Sequence, residues 1–131
     1  MSRYDKYGPK TGGFRAATSI AWTSADFGKI FGVGLNASGQ IVKGAGNSGI
    51  LGVCIVTEAK AIGAILDVMT GGEIVEATLS DGTTAIAAGT AVYSVPADGT
   101  LTVTATANKK IGFTVEATRL VVRVAGSGLA A

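Results

Sequence analysis

The sequence predicts an all-β protein: a compact barrel or sandwich built from two related halves of about 60 residues each. Three observations predict it. Short runs alternate apolar and polar residues, glycine-containing turns separate those runs, and the chain resembles itself at an offset of 60 positions. With 131 residues, the chain is long enough for one domain and hardly long enough for two.

Alternation with a period of two is clearest in three runs, at residues 75–79, 101–105 and 119–124. Turns such as residues 80–82 and 97–99 contain a glycine that supplies the positive φ a tight connection needs. Residues 57–66 and 80–88 alone are rich enough in alanine to form a helical turn. The residues expected in the core are Val75, Ala77 and Leu79, then Leu101, Val103 and Ala105, then Leu120, Val122 and Val124.

The internal repeat consists of several matches in the same order. Residues 35–41 recur in form as residues 95–101, and residues 51–55 recur as residues 111–115. Each copy then reaches Glu-Ala, at Glu58 and Glu116, and afterwards an apolar strand with one central charge. The repeat spans about residues 29–72 and 89–128. Because a unit of this size is too small to close a core alone, we expect the two halves to pack into one β domain.

Charge divides the chain into an N-terminal arm, residues 1–27, and a single β domain, residues 28–131. The first 15 residues have a net charge of +3, whereas the remaining 116 have a net charge of −1. Cations and aromatic rings alternate in the arm, a composition typical of a segment that binds a partner. These residues are Arg3, Tyr4, Lys6, Tyr7, Lys10, Phe14 and Arg15.

The composition indicates that the protein covers part of its surface by association. Hydrophobic residues make up 47% and charged residues 15%, against about 25% charged in a typical domain. Mean hydropathy is +0.44. No stretch is long and apolar enough to be a membrane helix, and residues 6–13 are too polar for a signal peptide. The net charge of +2 is too small to predict nucleic-acid binding.

The residues that carry chemistry are few, and we predict neither an enzyme nor a metal or cofactor site. The absence of histidine excludes a Ser-His-Asp triad, and a lone Cys54 excludes a thiolate zinc cluster. Residues 44–49 spell GxGxxG, but a strand follows rather than the helix that dinucleotide binding needs, so we expect a flexible loop. Cys54 is expected to be buried and inert, and Asp67 to pair across strands with Arg123.

The repeat also carries a resemblance to a known family. Residues 88–95, Gly99 and residues 111–117 are the closest part of a pattern that resembles the head decoration, or capsid cement, proteins of tailed bacteriophages. The likeness spans residues 28–124. It implies a tulip-like β domain that is made in the host cytoplasm and assembles as a homotrimer on the outer surface of the capsid. There it would bridge major capsid subunits and stabilise the head, with no catalytic residues.

Two other functions remain open from the sequence. One is a structural module elsewhere in a virion or on a cell surface, such as a tail or fibre. The other is a small ligand-binding β-barrel, against which the small apolar core residues argue because few polar groups could orient a ligand. For the decoration protein, we expect the seven arm residues named above to bind the capsid.

Overall fold

Ten short strands make up two sheets in the computed structural model, which describes residues 13–77, 79–81 and 83–124. In chain order the strands are β1 (Gly13–Ala17), β2 (Ile30–Leu35), β3 (Ile41–Lys43), β4 (Gly52–Ile55), β5 (Ile65–Met69), β6 (Gly71–Ile74), β7 (Ala91–Ser94), β8 (Leu101–Thr102), β9 (Lys109–Glu116) and β10 (Arg119–Arg123). The first sheet has the order β1-β5-β4-β2-β3, and the second has the order β6-β10-β9-β7-β8. All neighbouring strands within the sheets are antiparallel.

The two sheets have the same topology, because β1 to β5 take the positions in the first sheet that β6 to β10 take in the second. The strand register extends this equivalence between the two sheets to individual residues. One row across the first sheet consists of Gly13, Met69, Val53 and Gly32, and the matching row of the second consists of Glu73, Val121, Phe113 and Ala91. The predicted all-β sandwich of two related halves is therefore confirmed.

Each sheet has two faces, which the repeat allows us to name consistently. The front face of the first sheet carries Phe31, Cys54 and Val68, and that of the second carries Thr114 and Leu120. The back face carries Gly32, Val53 and Met69 in the first sheet, and their counterparts Ala91, Phe113 and Val121 in the second.

The two sheets stack facing the same way, with the back of the first against the front of the second. Ile30, Ile50 and Val53 of the first half are buried in one cluster with residues of the second half. Those second-half residues are Ala77, Leu79, Ile86, Val92, Leu101, Ile111, Leu120, Val122 and Val124. The back face of the second sheet is the outermost layer of the stack.

The front face of the first sheet has a core of its own, centred on Trp22. The indole is 1% exposed, meets the Phe31 ring edge-on at 5.7 Å between centroids, and donates from Nε1 to Thr18 Oγ1 at 2.9 Å. Thr18 also forms a bridge to Ile41 of β3, which joins the two edges of this sheet. The first half is thus closed into a small barrel around its aromatic side chains.

Glycines allow the backbones of the two halves to touch. The Gly32 N–H donates to the Gly99 carbonyl, and the Gly44 N–H donates to the Gly32 carbonyl, each at 2.8 Å. A Cβ atom at Gly32 would lie 2.1 Å from the hydroxyl oxygen of Ser94 and 2.7 Å from its Cβ. No side chain fits at position 32 while Ser94 keeps its place, so β2 and β7 meet there at the closest approach that glycine permits.

The GxGxxG segment is part of this junction. Residues 44–49 form a loop followed by a strand, as predicted, and the loop is tied to the second half rather than free. The Ala45 N–H donates to the Pro96 carbonyl at 2.8 Å, and a Cβ at Gly44 would lie 2.3 Å from the same oxygen. Close packing between the halves therefore accounts for Gly44, whereas Gly46 and Gly49 have positive φ angles of +54° and +84°.

The strands and core residues predicted from two of the three alternating runs are partly wrong. Strand β6 ends at Ile74 because Glu76 has a φ of +54°, and Val75 is 61% exposed although Ala77 and Leu79 are buried. Strand β8 covers two residues only, and Val103 beyond it is 46% exposed, while Ala105 is also exposed. The described parts of residues 57–66 and 80–88 contain no helix, whereas Ser24–Asp26 form an unpredicted 3-10 turn.

Gly32→Ala tests the junction. The added methyl group must displace Ser94, and overpacking of this kind costs about 1–3 kcal/mol. We expect a clear fall in the melting temperature, measured by circular dichroism. Gly71→Ala is the matched control, because the nearest atom to its Cβ is 3.7 Å away. In the double variant Gly32→Ala/Ser94→Gly, the fall in melting temperature should be smaller than the sum of the falls in the two single variants. An unchanged melting temperature for Gly32→Ala would contradict the close approach.

An ion pair covers the aromatic core of the first half. Lys43 Nζ lies 2.6 Å from Asp26 Oδ1 and 4.2 Å from the centre of the Phe31 ring. Asp26 also accepts the Thr23 N–H at 2.9 Å through its other oxygen. Burial disfavours ionisation of Asp26, but the Lys43 hydrogen bond, the Thr23 N–H and the charges of Lys43 and Lys29 outweigh it. The pKa of Asp26 therefore lies below its ordinary value of 3.8.

A lowered carboxyl pKa stabilises the fold above the ordinary value of 3.8, and this stabilisation disappears as the pH falls below it. We expect Asp26→Asn to lower the melting temperature at pH 7 by a few degrees, since losing a charged hydrogen bond costs on the order of 1 kcal/mol. The difference from wild type should shrink between pH 4 and pH 2.5, approximate bounds set by that ordinary value. Melting curves across that range measure it, and a difference that is constant with pH would contradict the ion pair's role.

Candidate functional site

The back face of the second sheet is an apolar surface open to solvent. Alternation along β9 and β10 places Phe113, Val115 and Val121 on this side, of which Val121 is itself only 7% exposed. Val121 and Ala91 flank Phe113 on the neighbouring strands. Phe113 and Val115 are each 42% exposed. Apolar side chains that line up across three strands form a contiguous surface, which is typical of a protein contact.

Charged side chains surround this surface unevenly. At the end of the face away from the β9–β10 turn, Lys110 lies opposite Tyr93, and Arg123 is the last residue of β10; Lys110 and Arg123 are both exposed. Within the part of the chain that the structure describes, neither forms an ion pair with a carboxylate. Towards the β9–β10 turn, Arg119 lies 3.3 Å from Glu73 and 3.4 Å from Glu116. One end is therefore positive, and the other holds two carboxylates that share one guanidinium.

Five of the seven predicted arm residues lie outside the described residues: Arg3, Tyr4, Lys6, Tyr7 and Lys10. The other two lie in β1, the strand that pairs with β5. Phe14 packs against the Trp22 core, and Arg15 donates from Nε to Asp67 Oδ1 at 2.7 Å. The structure thus places residues 13–17, with Phe14 and Arg15, in the first sheet.

The pairing predicted for Asp67 is wrong. Its partner is Arg15, because β1 lies beside β5 and puts these two residues directly opposite each other. Arg123 is the counterpart of Asp67 by sequence pattern, but it lies in the other sheet and donates to its own neighbour's carbonyl, at Val122, at 2.8 Å. Strand register makes Arg119, and not Arg123, the topological counterpart of Asp67, because Met69 and Val121 hold equivalent positions in the two sheets.

The described residues hold no group of three or more His, Cys, Asp or Glu side chains that could bind a metal ion. Cys54 is 2% exposed, and burial, with the nearby charge of Asp67, raises its pKa to about 12. A thiol in that state is protonated at neutral pH and is not a nucleophile. The described part of the chain contains no helix of the length and hydrophobicity needed to span a membrane.

A depression of about 240 Å³ lies at the seam between the halves, lined by Phe31, Ser80, Asp81 and Leu101 among others. Sites for small ligands usually measure about 300–1,000 Å³ and converge several polar groups on the ligand. Inside the first half, the barrel is filled by Trp22, Phe31 and their neighbours. The geometry therefore favours an outer protein contact over an interior ligand site.

Comparison with known proteins decides the family. Residues 28–120 match the family model described as "Phage cement protein". The chain belongs to the phage cement protein family. The predicted resemblance is confirmed. As a cement protein it has a role in decorating a phage capsid, associates with that capsid and is part of the virion. A structural family of this kind argues against an enzyme.

Solved structures agree on the fold. Two chains match. One, titled "Mycobacterium phage Patience", superimposes with a TM-score of 0.73 at 21% sequence identity, covering 94% of this chain and 96% of its own. No curated protein matches the sequence. The cement protein thus shares its whole architecture with a phage protein whose sequence has diverged widely.

The sequence did not single out the exposed face as a site. A period of two places Ile111, Phe113 and Val115 on one side of β9 and predicts all three in the core. Ile111 is completely buried, and the other two face outward. The reason is the register shift between β7 and β9 at Val92 and Tyr93, which leaves Ile111 as an extra residue and reverses the side of the strand, so alternation alone could not have predicted this surface.

The reactivity of Cys54 tests whether its thiol is buried and unreactive in the folded protein. We expect the native protein to react with a thiol reagent such as DTNB far more slowly at pH 8 than the protein unfolded in guanidinium. Both burial and a pKa of about 12 suppress the thiolate. Absorbance of the released thiolate reports both rates. Labelling of the native protein as fast as that of the unfolded protein would contradict the packing around Cys54.

Proposed function

We propose that this cement protein binds the outer surface of a phage head as a homotrimer, where it bridges neighbouring major capsid subunits and stabilises the shell. Membership of the cement family carries the proposal. The open apolar face of the second sheet supports it, because a surface with Phe113 and Val115 exposed gains free energy when another protein covers it.

The described body is suited to mechanical bridging. Two sheets share one buried cluster, and backbone hydrogen bonds at Gly32 and Ala45 tie the halves to each other. The first half is closed by the Thr18–Ile41 bridge, so the body has few free strand edges to deform. A rigid body that touches several shell subunits through separate weak contacts binds with high avidity.

The arm is the second element of the proposal, now restricted to residues 1–12 because β1 begins at Gly13. Twelve residues can extend at most about 40 Å, enough to reach a subunit beyond the one under the body. Arg3, Lys6 and Lys10 would meet carboxylates of the capsid, and Tyr4 and Tyr7 would supply buried contacts.

Binding to heads that lack the protein tests the function. The purified protein is mixed with undecorated heads, and bound protein is measured by co-sedimentation and located by cryo-electron microscopy. We expect saturable binding at regular positions on the outside and slower rupture of the heads on heating. Failure to bind heads, or binding to tails or fibres instead, would contradict the proposal.

The arm has a charge test of its own. We expect Lys6→Gln/Lys10→Gln to weaken binding to heads about tenfold and to flatten its dependence on salt, since rim cations act mainly through long-range attraction. Lys29→Gln/Lys60→Gln is the matched control: it removes the same charge from the body and should bind as wild type. Equal affinity of the arm variant and wild type would refute the role of the arm. Deleting residues 13–15 is unsuitable, because it removes part of a strand.

A further inference from the structure

We propose that the back face of the second sheet is the surface through which copies of this chain associate with one another. The inference rests on the self-association in the proposed function and assigns it to one surface. It commits to a second copy of the chain as the occupant, rather than to the capsid.

The internal repeat is the first argument. The back face of the first sheet has the same topology, and there the chain covers its centre with a β unit of its own kind, while Ile55 and Ile65 at the ends of β4 and β5 are 38% and 60% exposed. Val53 in that buried face is 1% exposed, whereas its counterpart Phe113 is 42% exposed. A surface that is built like an internal interface, but that no third unit covers among the described residues, is suited to contact with a separate copy.

The mode of contact follows from which faces are free. The front of the second sheet is occupied by the first half, and the front of the first sheet is filled by the Trp22 core. A second copy therefore cannot stack on the open face as the halves stack within the chain. Back faces that meet each other around a symmetry axis give a closed assembly and not a filament.

Charge complementarity is the second argument. The cations Lys110 and Arg123 lie towards one end of the face, and Glu116, with Glu73 beside Arg119, lies towards the other. From Lys110 to Glu116 along β9 is about 20 Å, the length of the apolar strip between them. Copies related by a rotation can set the cationic end of one against the carboxylates of the next, with Phe113 and Val121 buried between them.

The decisive measurement is the mass in solution by light scattering, with wild type expected as a multiple of 13.0 kDa. We expect Phe113→Glu to be monomeric at concentrations where wild type is assembled, and circular dichroism to show that it remains folded. Ile62→Glu is the control: it adds the same charge at an apolar side chain that is 68% exposed on the first half, and it should assemble normally.

A mixing experiment keeps the proposal falsifiable if Phe113→Glu does not fold. Lys110→Glu/Arg123→Glu and Glu73→Lys/Glu116→Lys should each assemble poorly, because each puts like charges together, and a mixture of the two should regain assembly. Normal assembly of folded Phe113→Glu would overturn the assignment of this face while leaving self-association intact. The assignment would also be overturned if Phe113→Glu stayed assembled but no longer bound heads, because the face would then contact the capsid. A monomeric wild type would overturn self-association itself.

Discussion

The approach of β2 to β7 at Gly32 is the constraint on which the rest of the structure depends. Since no side chain separates Gly32 from Ser94, the two sheets lie close enough for Gly32 to hydrogen-bond with Gly99 and Gly44. Those bonds fix the loops 44–49 and 96–99 and bring Ile30 and Val53 into the core of the second half. The order of the layers, and with it the choice of the exposed face, follows from this contact.

Stacking in the same direction makes the two ends of the protein different. Two sheets packed front to front would have presented two equivalent outer faces, and each half would have been equally exposed. Here the Trp22 segment closes one end, and the other end presents Phe113 and Val115. One duplicated unit therefore gives a body whose two ends differ.

The sequence predicts the fold well where a rule of local patterning applies. Alternation in residues 119–124 predicts β10 and its buried side, and the repeat at an offset of 60 predicts two similar sheets. It fails at Val75 and Val103, where the left-handed Glu76 and the hydrogen bond from Thr104 to Thr102 end the strands. These depend on single backbone conformations, which a period of two does not encode.

The surface is harder to predict than the fold. Phe113 belongs to an apolar strand in either case, and only the strand order shows that its side lacks a covering layer. The partner of Asp67 likewise depends on β1 lying beside β5, a long-range pairing that neither residue indicates in the sequence. Knowledge of the family supplies the role in the capsid, because binding by an extended surface needs no distinctive motif.

The place of Trp22 makes the two halves distinguishable by spectroscopy. It is the one tryptophan of the protein, and it is enclosed in the first barrel beside Phe31. Its fluorescence therefore reports loosening of that barrel alone, whereas far-ultraviolet dichroism follows both sheets. Unfolding curves that coincide in the two signals would mean that the tandem repeat denatures as one cooperative unit, and curves that separate would show which half opens first.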